Sequence, residues 1–215
     1  MIEFPDPSLA NEEGLLAAGG NLEPETLLAA YSRGIFPWFS EGDPVLWWSP
    51  DPRMVLFPDD FHISRRLQRR LNQPQYRFSW DEAFDDVIQI CAGIPREGES
   101  GTWIIPEMIS AYGRLHELGY GHSVEVWEGD ELVGGIYGVL LNRVFFAESM
   151  FSKQTDGSKM ALARLVERAR QEQWKLIDCQ FHTAHLERLG ARKIGRAEFL
   201  AVIRQPPVDR LYSNK

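Results

Sequence analysis

The amino-acid sequence predicts an α+β protein in which helices pack on one mixed sheet. Three observations support this. Residues 123–151 contain alternating and apolar runs of strand length, separated by turn signals at Gly129-Asp130 and Asn142-Arg143. Beyond residue 158, segments whose apolar residues have helical spacing alternate with short runs typical of strands. The chain is 44% hydrophobic, 12% aromatic and 25% charged, which is typical of a globular protein with its own core.

Local signals place the individual elements. Pro24 in a first turn and Gly34 after a last one bound the first helix, and Gly119 caps a later one. The predicted helices are Pro24–Arg33, Ser64–Asn72, Asp81–Cys91, Pro106–Leu118, Ser158–Glu172 and Ala184–Leu189. The predicted strands are Ser123–Trp127, Leu132–Leu141, Val144–Phe151, Lys175–Gln180 and Ala197–Arg204.

A change in composition divides the chain in two. The part up to about Pro58 is dense in glycine, proline and aromatic residues, with one helix and short strands. We expect a small N-terminal α/β domain over residues 1–58 and a larger domain over residues 59–215 that carries the mixed sheet.

Composition also excludes several classes of protein. No uncharged run approaches the ~20 apolar residues that span a bilayer, and no secretory leader is visible. Two cysteines, Cys91 and Cys179, are too few for a disulfide scaffold or a four-thiolate zinc site. We expect a cytoplasmic protein, monomeric, without metal and without a membrane partner.

The charge of the chain is unevenly distributed. The net charge is −8, which disfavours a nucleic-acid partner on average. The window from Phe61 to Trp80, however, holds five arginines and no acidic residue, leaving 18 basic and 31 acidic residues elsewhere. On a helical projection four of these arginines share one face, opposite Leu67 and Leu71. They are Arg65, Arg66, Arg69 and Arg70. A solvated surface and a polyanion-binding surface both fit this pattern.

Two levels of resemblance follow from the motifs. The succession of antiparallel strands, helix, strand, helix and strand, with Leu189-Gly190-Ala191, resembles the acetyltransferase fold called GNAT. Six motifs in order resemble the leucyl/phenylalanyl-tRNA–protein transferases, a family built on that fold. They are GIFPWF (34–39), LWWSPDPR (46–53), GTWI (101–104), LVGGIYG (132–138), FFAESMFS (145–152) and LIDCQ (176–180). Together they extend the resemblance from about Asn11 to Arg204.

The resemblance implies an activity and the residues that carry it. Such enzymes move leucine or phenylalanine from aminoacyl-tRNA to the N-terminal Arg or Lys of a protein, which marks that protein for degradation. It makes Asp178 and Gln180 the catalytic pair, and Trp38 and Trp103 the contacts of the 3′ adenosine. It assigns Ile136, Met150 and Ile177 to the amino-acid pocket, with Leu162 and Leu165 as further candidates. The unbranched side chain of Met150 suits a pocket that accepts both aliphatic and aromatic groups. Because such a pocket discriminates weakly between side chains that differ by a methylene group, we expect methionine to be accepted as a substrate too.

Glu148 and Ser152 are the remaining candidates. A carboxylate within the apolar strand FFAESMFS is costly unless paired. Glu148 therefore either contacts the amino group of a substrate or forms a buried salt bridge. Ser152 is a weaker candidate for a hydrogen bond near the same place.

Two other functions remain open from the residues alone. One is a GNAT N-acyltransferase that uses acyl-coenzyme A, and the other is an RNA-binding module without catalysis. GNAT enzymes bind pyrophosphate through the loop that corresponds to Gln154–Lys159. Here Lys159 replaces a small residue and Asp156 adds a negative charge, so we expect neither coenzyme A nor another cofactor.

Overall fold

The computed structural model describes residues 3–94 and 102–205. Over these residues the α+β prediction is confirmed. A seven-stranded sheet runs in the order β10-β4-β9-β8-β7-β6-β5, and a three-stranded sheet runs β1-β3-β2. All neighbouring strands are antiparallel except β8 and β9, which are parallel.

The elements have the following bounds. The strands are β1 Leu15–Ala18, β2 Phe36–Pro37, β3 Leu46–Trp48, β4 Arg53–Leu56, β5 Tyr76–Trp80, β6 Gly121–Glu128, β7 Glu131–Leu141, β8 Val144–Ser152, β9 Leu176–Gln180 and β10 Arg192–Ile194. The helices are α1 Pro24–Tyr31, α2 Arg65–Leu71, α3 Phe84–Gly93, α4 Pro106–Glu117, α5 Gly157–Gln171, α6 Ala184–Arg188 and α7 Arg196–Arg204. In the described part of the chain no helix is both long and apolar enough to cross a bilayer.

One predicted strand is wrong. Residues Ala197–Arg204 form most of helix α7, and the strand in this region is the shorter β10. The apolar residues of this segment fit the spacing of a strand as well as that of a helix. Its buried residues Phe199, Leu200 and Ile203 are spaced as on one face of a helix.

Three strands of the larger sheet, β4, β5 and β10, were not predicted. Every residue of β4 is buried, so the strand has no polar alternation to reveal it. It lies inside the larger sheet between β9 and β10. We therefore propose that the division between the two parts of the chain lies before β4 rather than at residue 58.

The larger sheet separates two hydrophobic clusters. One face packs against α1, α3, α4 and α7, together with the three-stranded sheet. The other face packs against α2 and α5. Helix α5 begins very close to the sheet, because Gly134 of β7 and Gly157 meet without side chains between them. This sandwich leaves the ends of β8 and β9 as the place where polar groups from several elements converge.

Candidate active site

The site lies where β8 and β9 stop pairing. Their parallel ladder runs from Val144 and Leu176 to Phe146 and Asp178 and then ends. Beyond this point β8 contains a β-bulge, in which Glu148 has no partner on β7. Bulges redirect side chains and are common beside active sites. The end of the ladder thus leaves a gap in the sheet, with Glu148 on one side and Gln180 on the other.

Asp178 is held in a buried salt bridge with Arg53. Its two carboxylate oxygens accept hydrogen bonds from Arg53 Nε at 2.8 Å and from Nη2 at 2.7 Å. A third hydrogen bond comes from the backbone N–H of Gln180, 3.0 Å from Oδ1. Asp178 is 0% exposed and Arg53 is 1% exposed. Both oxygens of the carboxylate are therefore bound within the protein, and neither reaches solvent.

Arg53 itself is enclosed by groups from three other elements. Its guanidinium lies 4.7 Å from the ring centroids of both Phe36 and Phe199. Its Nη1 donates to the carbonyl of Gly34 at 3.2 Å. Gly34 has φ +72°, and a Cβ there would lie 2.9 Å from the Phe199 ring. Glycine at this position therefore permits the chain reversal after α1 and the close approach of α7.

Glu148 is surrounded by hydroxyl and amide groups. The Tyr31 hydroxyl lies 2.8 Å from Oε1, and the Tyr112 hydroxyl lies 2.9 Å from Oε2. Gln180 Nε2 donates to Oε1 at 3.0 Å. Glu148 is 8% exposed. Among the described residues no cation forms a salt bridge with Glu148, so its contacts here are all hydrogen bonds.

Burial sets the protonation behaviour of this cluster. Burial raises the pKa of Glu148 from 4.5 to about 7, although the hydrogen bonds from Tyr31 and Tyr112 act in the opposite direction. Burial and the nearby charge of Glu148 hold the pKa of both tyrosines well above the usual range. The tyrosines therefore keep their protons, and Glu148 is the group that titrates near neutrality.

Aromatic side chains connect Trp38 with the end of β9. The Trp38 ring is 5.4 Å from the ring of Phe181, the residue after Gln180, and also 5.4 Å from Trp48. Trp38 and Trp103 are both half-buried and pack on the same hydrophobic cluster. Trp103 precedes α4, the helix that carries Tyr112. Gly101 of the GTWI motif lies outside the described residues.

The residues expected to form the amino-acid pocket lie on the opposite face of the sheet. All five belong to the cluster that packs against α5. Four are at most 2% exposed: Ile136, Leu162, Leu165 and Ile177. Met150 is half-buried and pairs with Ile136 across β7 and β8. Met150 is thus the member of this set that reaches solvent.

Ser152 has a local structural contact. Its Oγ accepts a hydrogen bond from the backbone N–H of Ser158 at 2.7 Å and lies 2.9 Å from the Ser158 hydroxyl. It therefore fixes the start of α5 to the end of β8.

Helix α2, called the arginine helix here because it carries Arg65, Arg66, Arg69 and Arg70, forms ion pairs with an acidic residue from another part of the chain. Asp156, which precedes α5, lies 3.4 Å from Arg66 and 3.7 Å from Arg70. It also accepts a hydrogen bond from Lys159 at 2.7 Å. Burial alone would raise the pKa of Asp156, but these cations lower it. Arg65 and Arg69 are exposed and have no ion-pair partner within the described chain.

The chain matches two family models that together cover most of its length. Residues 55–204 match the model described as leucyl/phenylalanyl-tRNA protein transferase, and residues 20–51 match the N-terminal domain of the same family. The chain belongs to this family. It is therefore an aminoacyltransferase that transfers aminoacyl groups from tRNA to proteins.

Individual relatives agree with the family models. A leucyl/phenylalanyl-tRNA–protein transferase of Anaeromyxobacter sp. Fw109-5 is 56% identical over 200 residues, covering 93% of this chain and 85% of the relative. Another from Anaeromyxobacter sp. K is 59% identical over 198 residues, covering 92% and 85%. Among solved structures, a GCN5-related N-acetyltransferase from Kribbella flavida aligns with a TM-score of 0.42 at 11% identity, covering 80% of this chain and 61% of that one.

Three residues that hold Asp178 and Glu148 in this candidate site were missed from the sequence: Arg53, Tyr31 and Tyr112. Arg53 ends the motif LWWSPDPR and begins an otherwise apolar run, which is a signal of a buried charge. Tyr31 follows Leu27 at i+4 on the buried face of α1. Tyr112 occupies the buried face of α4 with Met108 and Leu115. Nothing local distinguishes these tyrosines from ordinary core residues.

Other chemistry has little support in the transferase. No group of three or more histidine, cysteine or acidic residues is arranged to bind a metal in the described part of the chain. Burial, followed by the charge of Asp178, raises the pKa of the Cys179 thiol far above its usual range, which disfavours its thiolate form.

Proposed function

We propose that this transferase moves leucine or phenylalanine, and also methionine, from aminoacyl-tRNA to the N-terminal Arg or Lys of acceptor proteins. The modification marks the acceptor for degradation. We propose further that the enzyme acts as a monomer in the cytoplasm. The observation that carries the proposal is the position of Gln180, which donates a hydrogen bond to buried Glu148 and directly precedes Phe181, the ring that Trp38 contacts at 5.4 Å.

The reaction is aminolysis of an ester and needs orientation more than a strong base. The acceptor α-amine attacks the ester carbonyl, and the ribose oxygen leaves with a proton. Orientation of the two reactants can supply about 7–11 kcal/mol of the barrier. A terminal amine has a pKa of about 7.7–8.0, so a useful fraction is a free nucleophile near neutrality.

We assign Gln180 to the attacking amine and Asp178 to a positioning role. Gln180 Nε2 is bound to Glu148, and its backbone N–H is bound to Asp178. Its side-chain oxygen has no hydrogen-bond partner in the described structure and is available to accept an amine N–H. Asp178 acts on the amine through Gln180, because its own oxygens are occupied by Arg53.

The flat and apolar parts of the aminoacyl-tRNA have separate sites in this proposal. Trp38 and Trp103 stack on the terminal adenosine, a contact worth roughly 1–3 kcal/mol per base. Met150, with the buried side chains behind it, receives the amino-acid side chain, and its flexible thioether accepts both aliphatic and aromatic groups. The arginine helix binds acceptor-stem phosphates without reading sequence.

A transfer assay tests the proposal. Labelled leucyl-tRNA is supplied with three peptides that differ only in beginning with Arg, Lys or Ala. We expect label in the Arg and Lys peptides and none in the Ala peptide. Equal labelling of all three would contradict the acceptor specificity. Transfer from leucyl-coenzyme A without tRNA would support the acyl-coenzyme A alternative, and tRNA binding without any transfer would support the RNA-binding module.

A further inference from the structure

Three side chains beside Gln180 form a closed triangle of short contacts between their four oxygen atoms. The hydroxyls of Tyr31 and Tyr112 are 2.5 Å apart. Each is also within hydrogen-bond distance of Glu148, at 2.8 Å from Oε1 and 2.9 Å from Oε2. All three side chains are buried. Water therefore does not compensate for a missing hydrogen bond.

The number of protons on these three side chains determines how many of the three O···O contacts are hydrogen bonds. Each O···O contact of this length needs one proton between its oxygens. The two tyrosine hydroxyls supply two protons for three contacts. If Glu148 is ionised, both tyrosines donate to it, and their own 2.5 Å contact has no proton. If Glu148 is protonated, all three contacts are hydrogen bonds.

The position of Gln180 decides the direction of the ring. Oε1 of Glu148 also accepts from Gln180 Nε2 at 3.0 Å, so Oε1 is the carbonyl-type oxygen. In a protonated Glu148 the proton would then lie on Oε2 and be donated to Tyr112. Tyr112 then donates to Tyr31, and Tyr31 donates to Oε1. Every donor and acceptor of the cluster is satisfied in this arrangement.

The charged groups around the ring oppose one another. Asp178 on β9 disfavours a second negative charge, and Arg53 on β4 favours one. The other titratable neighbours are Tyr31 on α1, Tyr112 on α4 and Tyr137 on β7. The Arg53 charge is already neutralised by its salt bridge with Asp178. Burial is therefore the dominant influence, and it raises the pKa of Glu148 to about 7.

We propose that Glu148 carries a proton in the free protein and that Tyr31 and Tyr112 are positioning residues which, through this proton, fix the side-chain amide of Gln180. The Gln180 nitrogen is held in the ring network and its oxygen is left for the substrate. The consequence for catalysis rests on the proposed function. A neutral Glu148 makes no ion pair with an ammonium group, so it does not stabilise the unreactive form of the acceptor amine.

Infrared spectroscopy of the free protein tests the protonation directly. At about pH 6 ordinary exposed carboxyls are ionised, whereas Glu148 is expected to give a carboxylic-acid C=O band that disappears at about pH 9. The band should be absent from Glu148→Gln and present in Glu117→Gln, which removes an exposed glutamate of α4. A spectrum at pH 6 that is identical in wild type and Glu148→Gln would overturn the proposal. No tRNA is needed, so this result is independent of the proposed function.

Tyr31→Phe tests the ring rather than the proton alone. Loss of the donor to Oε1 should move the C=O band to higher frequency, and the pH profile of aminoacyl transfer should shift with it. If the C=O band of Tyr31→Phe stays at the wild-type frequency, the hydrogen-bonded ring is excluded. If the pH profile of aminoacyl transfer is unchanged in this variant, Tyr31 has only a packing role.

The pH dependence of stability provides a second readout. Between about pH 4.5 and 7 the unfolded chain releases a proton from Glu148 that the folded protein retains, so the wild type loses stability as the pH rises. Above about 7 this loss is complete. The melting temperature of Glu148→Gln should therefore rise relative to wild type across this range. Parallel curves would contradict the raised pKa.

Discussion

At the scale of single residues, the Arg53–Asp178 salt bridge is the contact on which the site depends. Both side chains are almost completely buried, and the guanidinium is sandwiched between two phenylalanine rings. A buried ion pair adds little net stability, because desolvation offsets the attraction, but removal of one partner leaves an uncompensated charge. The pair therefore acts mainly to fix β4 against β9, directly beside Gln180.

Substitution of Arg53 tests this account. Arg53→Met should cost about 3–5 kcal/mol of the free energy of unfolding, because it leaves the Asp178 carboxylate buried without a partner. Arg192→Met is the matched control: Arg192 also stacks on a phenylalanine ring, but it is half exposed, and its surface pair is worth about 1 kcal/mol or less. Urea denaturation measures both. Adding Asp178→Asn to Arg53→Met should recover part of the loss, and equal losses in the two single variants would contradict the argument.

At the scale of elements, the site depends on how α5 is set against the sheet. A Cβ at Gly134 would lie 2.5 Å from the carbonyl carbon of Gly157 and 2.7 Å from its Cα. Backbone atoms cannot move aside as a flexible side chain can. Because Gly134 has no side chain, α5 can begin directly against β7. This also sets the position of Ser152 at the end of β8, which is hydrogen-bonded to Ser158 at the start of α5.

An added methyl group tests this close approach. Gly134→Ala should push α5 away from β7 and lower the free energy of unfolding by about 1–3 kcal/mol. Gly93→Ala is the control, because Gly93 lies in α3 with nothing within 4 Å of a built Cβ. In a helix this change should stabilise the protein by up to about 1 kcal/mol. Guanidinium unfolding separates the two, and a stabilised Gly134→Ala would show that the contact is not tight.

At the scale of the whole molecule, charge is separated between one arginine-rich helix and a net acidic remainder. The fold reduces this separation, since Asp156 at the start of α5 pairs with Arg66 and Arg70. Arg65 and Arg69 stay exposed without such a partner in the described chain. If this helix binds tRNA as proposed, Arg65 and Arg69 are its members most open to phosphates.

Salt dependence of tRNA binding tests this division. Each phosphate contact contributes about one unit to the slope of log K against log salt concentration. Arg65→Gln with Arg69→Gln should reduce the slope by about 2. The charge-matched control, Arg77→Gln with Arg192→Gln, removes two half-exposed arginines elsewhere and should leave it unchanged. The same reduction in both variants would mean that binding responds to overall charge alone.

The sequence by itself was sufficient for the fold class, for most helices and for the meander β6-β7-β8. These depend on periodicity within a dozen residues, which is local information. It failed for β4, which is buried on both faces, and for α7, whose apolar run fits two periods. It also pointed to Glu148, because a carboxylate inside an apolar strand is rare enough to stand out. Asp178 and Gln180 were indicated by the resemblance to the family.

Only the tertiary structure decided what these polar residues contact. Arg53 and Asp178 are 125 positions apart, and Tyr31 and Glu148 are 117 apart. The end of the β8–β9 ladder places Glu148 beside Gln180, and α1 and α4 add the two hydroxyls. A buried tyrosine looks alike in sequence whether it packs in a core or completes a hydrogen-bond ring. The difference lies in which distant elements meet, and that depends on the packing of the whole chain.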